Sequence, residues 1–276
     1  MLTLEGGSPP SPRSAPARAA GFIRPWAVGA AGAAYLFGAG WWKWKNRAAI
    51  VELCRHFGYN YDAREPVELP PVKASSIAPS SGLLDIRELD AVDGNVSERE
   101  LVTLCRLVKA AGARKIFEIG TFDGRTTANL AANSPDDARV YTIDLPKEAI
   151  SSAVAPIHAH EVRYADKSES GARFKGTDVE RKIEQLYGDS GTFDFSDFYE
   201  GIDFVFVDGS HTYEYVINDS LHALRMLRGG HGTIVWHDYS RWDGVTRALN
   251  ELLRLKPEFA GLKWIEGTTL AILNFH

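Results

Sequence analysis

The sequence is poor in sulfur, with two cysteines, Cys54 and Cys105, and two methionines among 276 residues. There is no C-x-x-C pair and no Cys/His cluster at zinc spacing, which excludes a disulfide framework and a cysteine-based zinc module. Both thiols fall in apolar, helical stretches and are expected to be buried and free, which suits a reducing, cytoplasmic compartment. A surplus of positive charge is also lacking, because 31 Lys and Arg stand against 36 Asp and Glu for a net charge of -5. With no local basic patch either, nucleic acid is not an expected partner, and small-molecule chemistry is the better expectation. No internal repeat is present.

Long apolar runs are scarce, and one stretch without charge is conspicuous: PWAVGAAGAAYLFGAGWW, Pro25 to Trp42, flanked by Arg24 and by Lys43, Lys45 and Arg47. Its length is at the short end of what a spanning helix needs. Gly and Ala make up most of it and contribute little transfer energy, while Trp26, Trp41 and Trp42 suit interfacial anchoring. A membrane anchor over 25–45, a helix packed on protein and a cleaved signal peptide all remain open on these residues. Residues 1–24, rich in Pro, Ser, Ala and Arg, read as a disordered tail. Residues 46–92 read as a short amphipathic helix at Asn46 to Phe57 followed by a Pro- and Ser-containing linker.

From 93 to 276 the pattern is that of one domain. Ser97 and Glu100 form a capping box before ERELVTLCRLVKAAG, which stops at Gly112. Short apolar runs KIFEI, RVYTI, IDFVFV and GTIVW then alternate with helical stretches such as RTTANLAAN, YEYVINDSLHALRML and WDGVTRALNELLRL. That alternation predicts an α/β fold, a Rossmann-like, doubly wound and mainly parallel sheet of seven strands. LKWIEGTTLAILNF reads as a closing antiparallel hairpin.

In such a sheet, ligands sit beyond the carboxyl ends of the strands. FEIGTFDGRTTANLA passes from strand to helix there with the spacing E-x-G-x-x-x-G, in which Gly120 and Gly124 permit a tight turn. The G-x-G-x-x-G of a dinucleotide site is missing, because Phe122 occupies its second glycine position. Glu118 and Asp123 would also repel a pyrophosphate. A cationic or zwitterionic ligand fits better, and S-adenosylmethionine (SAM) has that character. Asp144, at the end of the next strand, can accept hydrogen bonds from both hydroxyls of a ribose.

At these residues the sequence resembles the class I SAM-dependent methyltransferases over about Asp93 to Phe275. It is most similar to the family carrying D-G-x-H-x-Y, here Asp208 to Tyr213, and a later H-D-Y, here His237 to Tyr239. The resemblance implies that Glu118, Gly120, Thr121 and Gly124 hold the methionine end of SAM. It places Asp144 and Leu145 at the ribose, and Asp189 and Ser190 near the adenine.

Asp208, His211, His237 and Asp238 leave two strand ends on the edge that carries the glycine turn. They supply a base and candidate ligands for one divalent cation. Similarity to catechol-type O-methyltransferases implies acids Asp208 and Asp238 as metal ligands and His211, three residues after Asp208, as the base. Those enzymes follow the second acid with an amide ligand, and this sequence has Tyr239. Either His237 completes a metal site with Asp208 and Asp238, which would favour manganese or zinc over magnesium, or no ion binds. Tyr213, Tyr215 and the aromatic run Phe193 to Tyr199 are candidate walls of an acceptor pocket. The long polar segment between Leu145 and Ile183 is expected to be a lid or disordered.

The expected function is SAM-dependent O-methylation of a small-molecule or sugar-like hydroxyl, with the catalytic domain facing the cytoplasm, where SAM is made. A non-catalytic SAM-binding module and a nicotinamide-dependent oxidoreductase are the rival readings.

Overall fold

A computed structural model describes residues 30–35, 38, 43, 65–78, 81–154, 162–167 and 169–275. The chain divides into two compact units, Met1–Arg64 and Glu65–His276. The expected tail, the amphipathic helix at 46–57, Cys54 and most of the apolar run 25–42 lie outside the described residues. Among those that are described, no helix is long and apolar enough to cross a membrane.

The second unit is built on an eight-stranded sheet. In chain order its elements are strand β1 (Pro71–Val72), helices α1 (Ala74–Ile77) and α2 (Glu98–Ala111), β2 (Lys115–Ile119), α3 (Arg125–Ala132), β3 (Arg139–Asp144), α4 (Val162–Ala165), β4 (Ile183–Tyr187), β5 (Phe204–Val207), α5 (Tyr213–Met226), β6 (Gly232–Trp236), α6 (Asp243–Leu255), β7 (Lys263–Ile265) and β8 (Ala271–Phe275). The strand order is β1-β7-β8-β6-β5-β2-β3-β4. Only β8 runs against its neighbours, β6 and β7, as the expected hairpin requires. The eighth strand is β1, which lies within the stretch read as a linker and pairs in parallel with β7. Two residues are too short a run for apolar alternation to signal a strand; pairing with β7 defines it.

Burial on both faces follows from alternation along the strands. Phe117, Ile119, Val205 and Val207 belong to one core layer, with Trp236 and the apolar faces of α5 and α6. Ile116, Phe204, Phe206 and Val235 belong to the other, with residues of α2 and α3. Cys105 of α2 is buried there as a free thiol, and burial pushes its pKa up to about 12. The capping box at Ser97 and Glu100 is complete, and Gly112 ends α2 in the left-handed conformation, as the sequence predicts.

The chain runs outward from β2 through β3 to β4, then returns to the other side of β2 for β5 and β6. That reversal opens a crevice at the carboxyl ends of β2 and β5. Register keeps the neighbouring ends level, with Ile119 beside both Ile143 and Val207, and Val207 beside Trp236. The residues that follow, Gly120, Asp208 and His237, each donate a backbone N–H to the adjacent strand, to Ile143, Ile119 and Val207 respectively.

Candidate active site

A cavity of about 370 Å³ opens over these strand ends, a volume suited to a small organic ligand. Gly120, Asp144, Leu145, Asp189, Ser190, Asp208, His211, His237 and Asp238 all line it, so most of the residues singled out in the sequence converge on one place. Its aromatic walls are Phe122, Tyr164, Tyr215 and Trp242. The run Phe193 to Tyr199 contributes no wall. Phe195 is fully buried in the core, edge-on to Phe117, and Phe198 packs on Phe117 and Tyr141. Tyr213 also turns away, donating its hydroxyl hydrogen to Glu251 at 2.7 Å.

The glycine turn is built differently from the expectation. At Gly120, with φ +101°, a Cβ would lie 2.0 Å from the carbonyl oxygen of Asp208. At Gly124, with φ +85°, it would meet Gly171 and the Phe174 ring. Both glycines are therefore required by the chain's own packing as well as by the turn. Gly124, Thr121 and Glu118 do not line the cavity.

Glu118 sits behind the turn, fully buried, and accepts hydrogen bonds from the hydroxyls of Thr127 and Thr142, the latter at 2.6 Å. Burial pushes its pKa up to about 8 against these favourable bonds. Thr121 shares a hydroxyl contact of 2.7 Å with Thr142 and accepts from Gln185. Glu118, Thr121 and Thr142 thus brace the turn from beneath. Asp123 also faces away from a ligand, paired with Arg173 at 2.8 Å.

Asp144 faces the cavity, and burial raises its pKa. Its Oδ2 lies 2.9 Å from Lys167 Nζ. The polar segment after β3 thus returns to the site, bringing Lys167 and Tyr164, whose ring meets Phe122 edge-on. Asp189 accepts from the backbone N–H groups of Val154 and Gly191, each at 2.9 Å, and so shapes the turn it lies in.

The richest chemistry lies at the ends of β5 and β6. His237 Nδ1 lies 2.9 Å from Asp208 Oδ1 and 3.3 Å from Asp238 Oδ2, and its Nε2 lies 3.4 Å from Glu100 Oε2. Burial alone would lower its pKa, but attraction to Asp208 and Asp238 raises it well above the ordinary value and favours the imidazolium. Burial likewise opposes ionisation of Asp238, yet His237 and His211 hold its carboxyl below the usual range. For Asp208, burial outweighs the same attraction and the pKa is raised.

His211 Nε2 lies 2.8 Å from Asp238 Oδ2, and its ring is stacked on Trp242. Gly244, at the start of α6, lets that helix approach, since a Cβ there would stand 2.2 Å from the His211 carbonyl oxygen.

Two features of this cluster escaped the sequence. Glu100 is legible as a capping-box residue, but its approach to His237 and its bonds to the Thr269 N–H and hydroxyl, at 2.6 and 2.8 Å, depend on the tertiary fold. The candidate ion ligands also differ from the expected set: Asp208, His211 and Asp238 bring ligand atoms within 4.8 Å of one another. Both nitrogens of His237 face carboxylates instead. Tyr239 is completely buried and is no ligand.

Residues 117–239 match the family model described as "Methyltransferase domain". The caffeoyl-CoA O-methyltransferase of Stellaria longipes is 28% identical over 165 residues, which cover 59% of this chain and 60% of that one. An Arabidopsis thaliana protein named for the same activity is 32% identical over 108 residues, 37% of this chain and 44% of that one. The chain thus spans less than two thirds of either relative's length. Similar solved structures include the O-methyltransferase TomG of Streptomyces achromogenes in complex with SAM, with a TM-score of 0.47 and 19% identity over 82% of this chain and 96% of that one. Another is an O-methyltransferase of Bacillus cereus in complex with SAH, with a TM-score of 0.42 and 18% identity over 69% and 84%.

Proposed function

We propose that the unit Glu65–His276, within which residues 117–239 match a methyltransferase family model, transfers the methyl group of SAM to a hydroxyl of a small-molecule acceptor, with His211 as general base. The observation that carries this reading is the meeting of the Asp144 end of the cavity with the His211–Asp238 pair in one cavity.

The residues present suit SAM. Asp144 offers a buried carboxylate at the rim, where ribose hydroxyls would displace Lys167, and Asp189, Asp208 and Glu100 give the cavity an acidic lining matched to a sulfonium. SAM supplies an activated methyl group. The protein aligns the acceptor oxygen in line with it, and alignment alone removes much of the entropic barrier.

His211 accepts the hydroxyl proton as the oxygen becomes a nucleophile. Asp238 orients the imidazole and stabilises its protonated form, as a carboxylate does for a base in acyl transfer. His237, charged and wedged between Asp208, Asp238 and Glu100, keeps these acids from repelling one another.

Asp208, His211 and Asp238 also suit a divalent cation, with a nitrogen and two oxygens that favour manganese or zinc over magnesium. Such an ion would polarise the acceptor oxygen. It would also take the His211 nitrogen that faces Asp238, which in the base reading carries the N–H donated to that carboxylate; ligation there would put the ring proton on the other nitrogen, so one imidazole cannot serve as base and ligand together.

On this reading the catalytic unit works in the cytoplasm, because SAM is made there. Isothermal titration with SAM, S-adenosylhomocysteine and NAD tests the cofactor, and transfer of radiolabelled methyl to a panel of hydroxylated compounds tests the reaction. Binding of the two adenosyl ligands and not of NAD is expected; tight NAD binding with no response to S-adenosylhomocysteine overturns the reading.

A further inference from the structure

Tyr239 joins the catalytic edge of the sheet to a segment far away in sequence. Its phenol oxygen accepts the backbone N–H groups of Glu68 and Leu69, at 2.8 and 2.9 Å, and donates to Asn250 Oδ1 at 2.8 Å. Asn250 in turn donates to the Pro66 carbonyl at 2.6 Å. The phenol therefore uses its full hydrogen-bonding capacity inside the core. Residues 66–69 lead directly into β1, whose flanks are tied down by Trp264 N–H to Pro70 and Glu266 N–H to Val72. The segment is a strap, clamped by β7 at one end and by Tyr239 at the other.

The backbone around Tyr239 is unusual. Asp238 has φ +64° and Ser240 has φ +69°, two non-glycine residues in the left-handed region within one turn. Such geometry persists only where its surroundings over-determine it, and it gathers at functional sites. Asp238 and Tyr239 are held by Thr269, and Ser240 by the Thr246 hydroxyl. The phenol adds the only side-chain anchor that Tyr239 itself contributes to this turn, one peptide from Asp238.

We infer that Tyr239 is a positioning residue: by clamping the amides of Glu68 and Leu69, it holds the strained Asp238 turn so that the Asp238 carboxylate meets His211. Phenylalanine would serve a purely packing role at this position without needing three polar partners. The strap 66–72 thereby belongs to the machinery of the site although none of its residues lines the cavity. The inference concerns the His211–Asp238 pair and is tested without cofactor or acceptor, so its failure is separate from failure of the methyl-transfer reading.

The test is imidazole N–H spectroscopy of the full-length protein labelled with 15N-histidine, with signals assigned through His211→Gln and His237→Gln. In the parent protein the His211 N–H facing Asp238 is protected from exchange. In Tyr239→Phe that resonance is lost to exchange, while the His237 N–H, held by Asp208 and Glu100, persists. Glu68→Pro removes one donor to the phenol without touching Tyr239 and has the same effect, whereas Glu68→Ala keeps the N–H and leaves both signals. Should Tyr239→Phe not fold, the two Glu68 variants decide alone. A Tyr239→Phe protein that melts earlier but keeps its His211 resonance, or a parent without that resonance, overturns the inference.

Discussion

His211 Nε2 lies 2.8 Å from Asp238 Oδ2, and the same imidazole lies flat on the indole of Trp242 with ring centroids 4.8 Å apart. One contact fixes the direction of the ring; the other fixes its plane. A base held in this way needs little reorganisation when a proton arrives.

Removing it with His211→Ala should lower turnover by roughly 10² to 10⁴, the usual worth of general-base catalysis. Affinity for S-adenosylhomocysteine should barely change, because on the proposed reading the base meets the acceptor and not the cofactor. Full turnover in the variant would leave alignment as the source of catalysis.

Because a neutral imidazole has a single lone pair, an ion held by His211 leaves no nitrogen to accept a proton, so added manganese or zinc should inhibit methyl transfer, and a chelator should not. Loss of activity on chelation, restored by one divalent cation, would transfer the catalytic role from the base to the ion.

At the other end of the cavity, Asp144→Ala removes the proposed acceptor of the ribose hydroxyls and frees Lys167. Calorimetry should show SAM binding weakened by about 1 to 3 kcal/mol, the range for hydrogen bonds to a charged group. Unchanged affinity would mean that the ribose lies elsewhere.

Glu118 sets a pH dependence whose sign can be worked out. Its pKa is about 8 in the folded protein and ordinary in the unfolded chain, so between about pH 4.5 and 8 the folded state holds a proton that the unfolded state has released. Stability contributed by this group is therefore complete below pH 4.5 and is lost as pH rises toward 8. Glu118→Gln, which cannot ionise, should flatten that part of a melting-temperature profile and melt higher than the parent at pH 9. An identical slope in both proteins would show that Glu118 is ionised in the fold.

Gly244→Ala tests how closely the site is built. The substitution favours helix intrinsically, but the new methyl group would stand 2.2 Å from the His211 carbonyl oxygen and 3.0 Å from the Tyr213 nitrogen. Turnover should fall with SAM affinity retained. A fully active variant would mean that the start of α6 gives way without moving His211.

What the sequence by itself determined is whatever neighbours in the chain can encode. Alternation placed β2 at Lys115–Ile119 and β6 at Gly232–Trp236, and the Ser97–Glu100 box with Gly112 bounded α2. The order of strands and helices put Gly120, Asp144, Asp208, His211 and Asp238 on one edge, because in a parallel sheet every strand ends on the same side. What only the tertiary structure decided is which way side chains face once the ends are level. Glu118 was expected to line the cavity, but β2 is buried on both faces and its side chain points into the interior. Gly120 was read as a tight turn at the methionine end of SAM, and its first constraint proved to be the Asp208 carbonyl. Glu100 meets His237 across 137 positions, and Tyr239 meets Glu68 across 171. Contacts at such separations are set by strand register and helix docking, which depend on the summed burial of a whole core and leave no local pattern in the residues that take part.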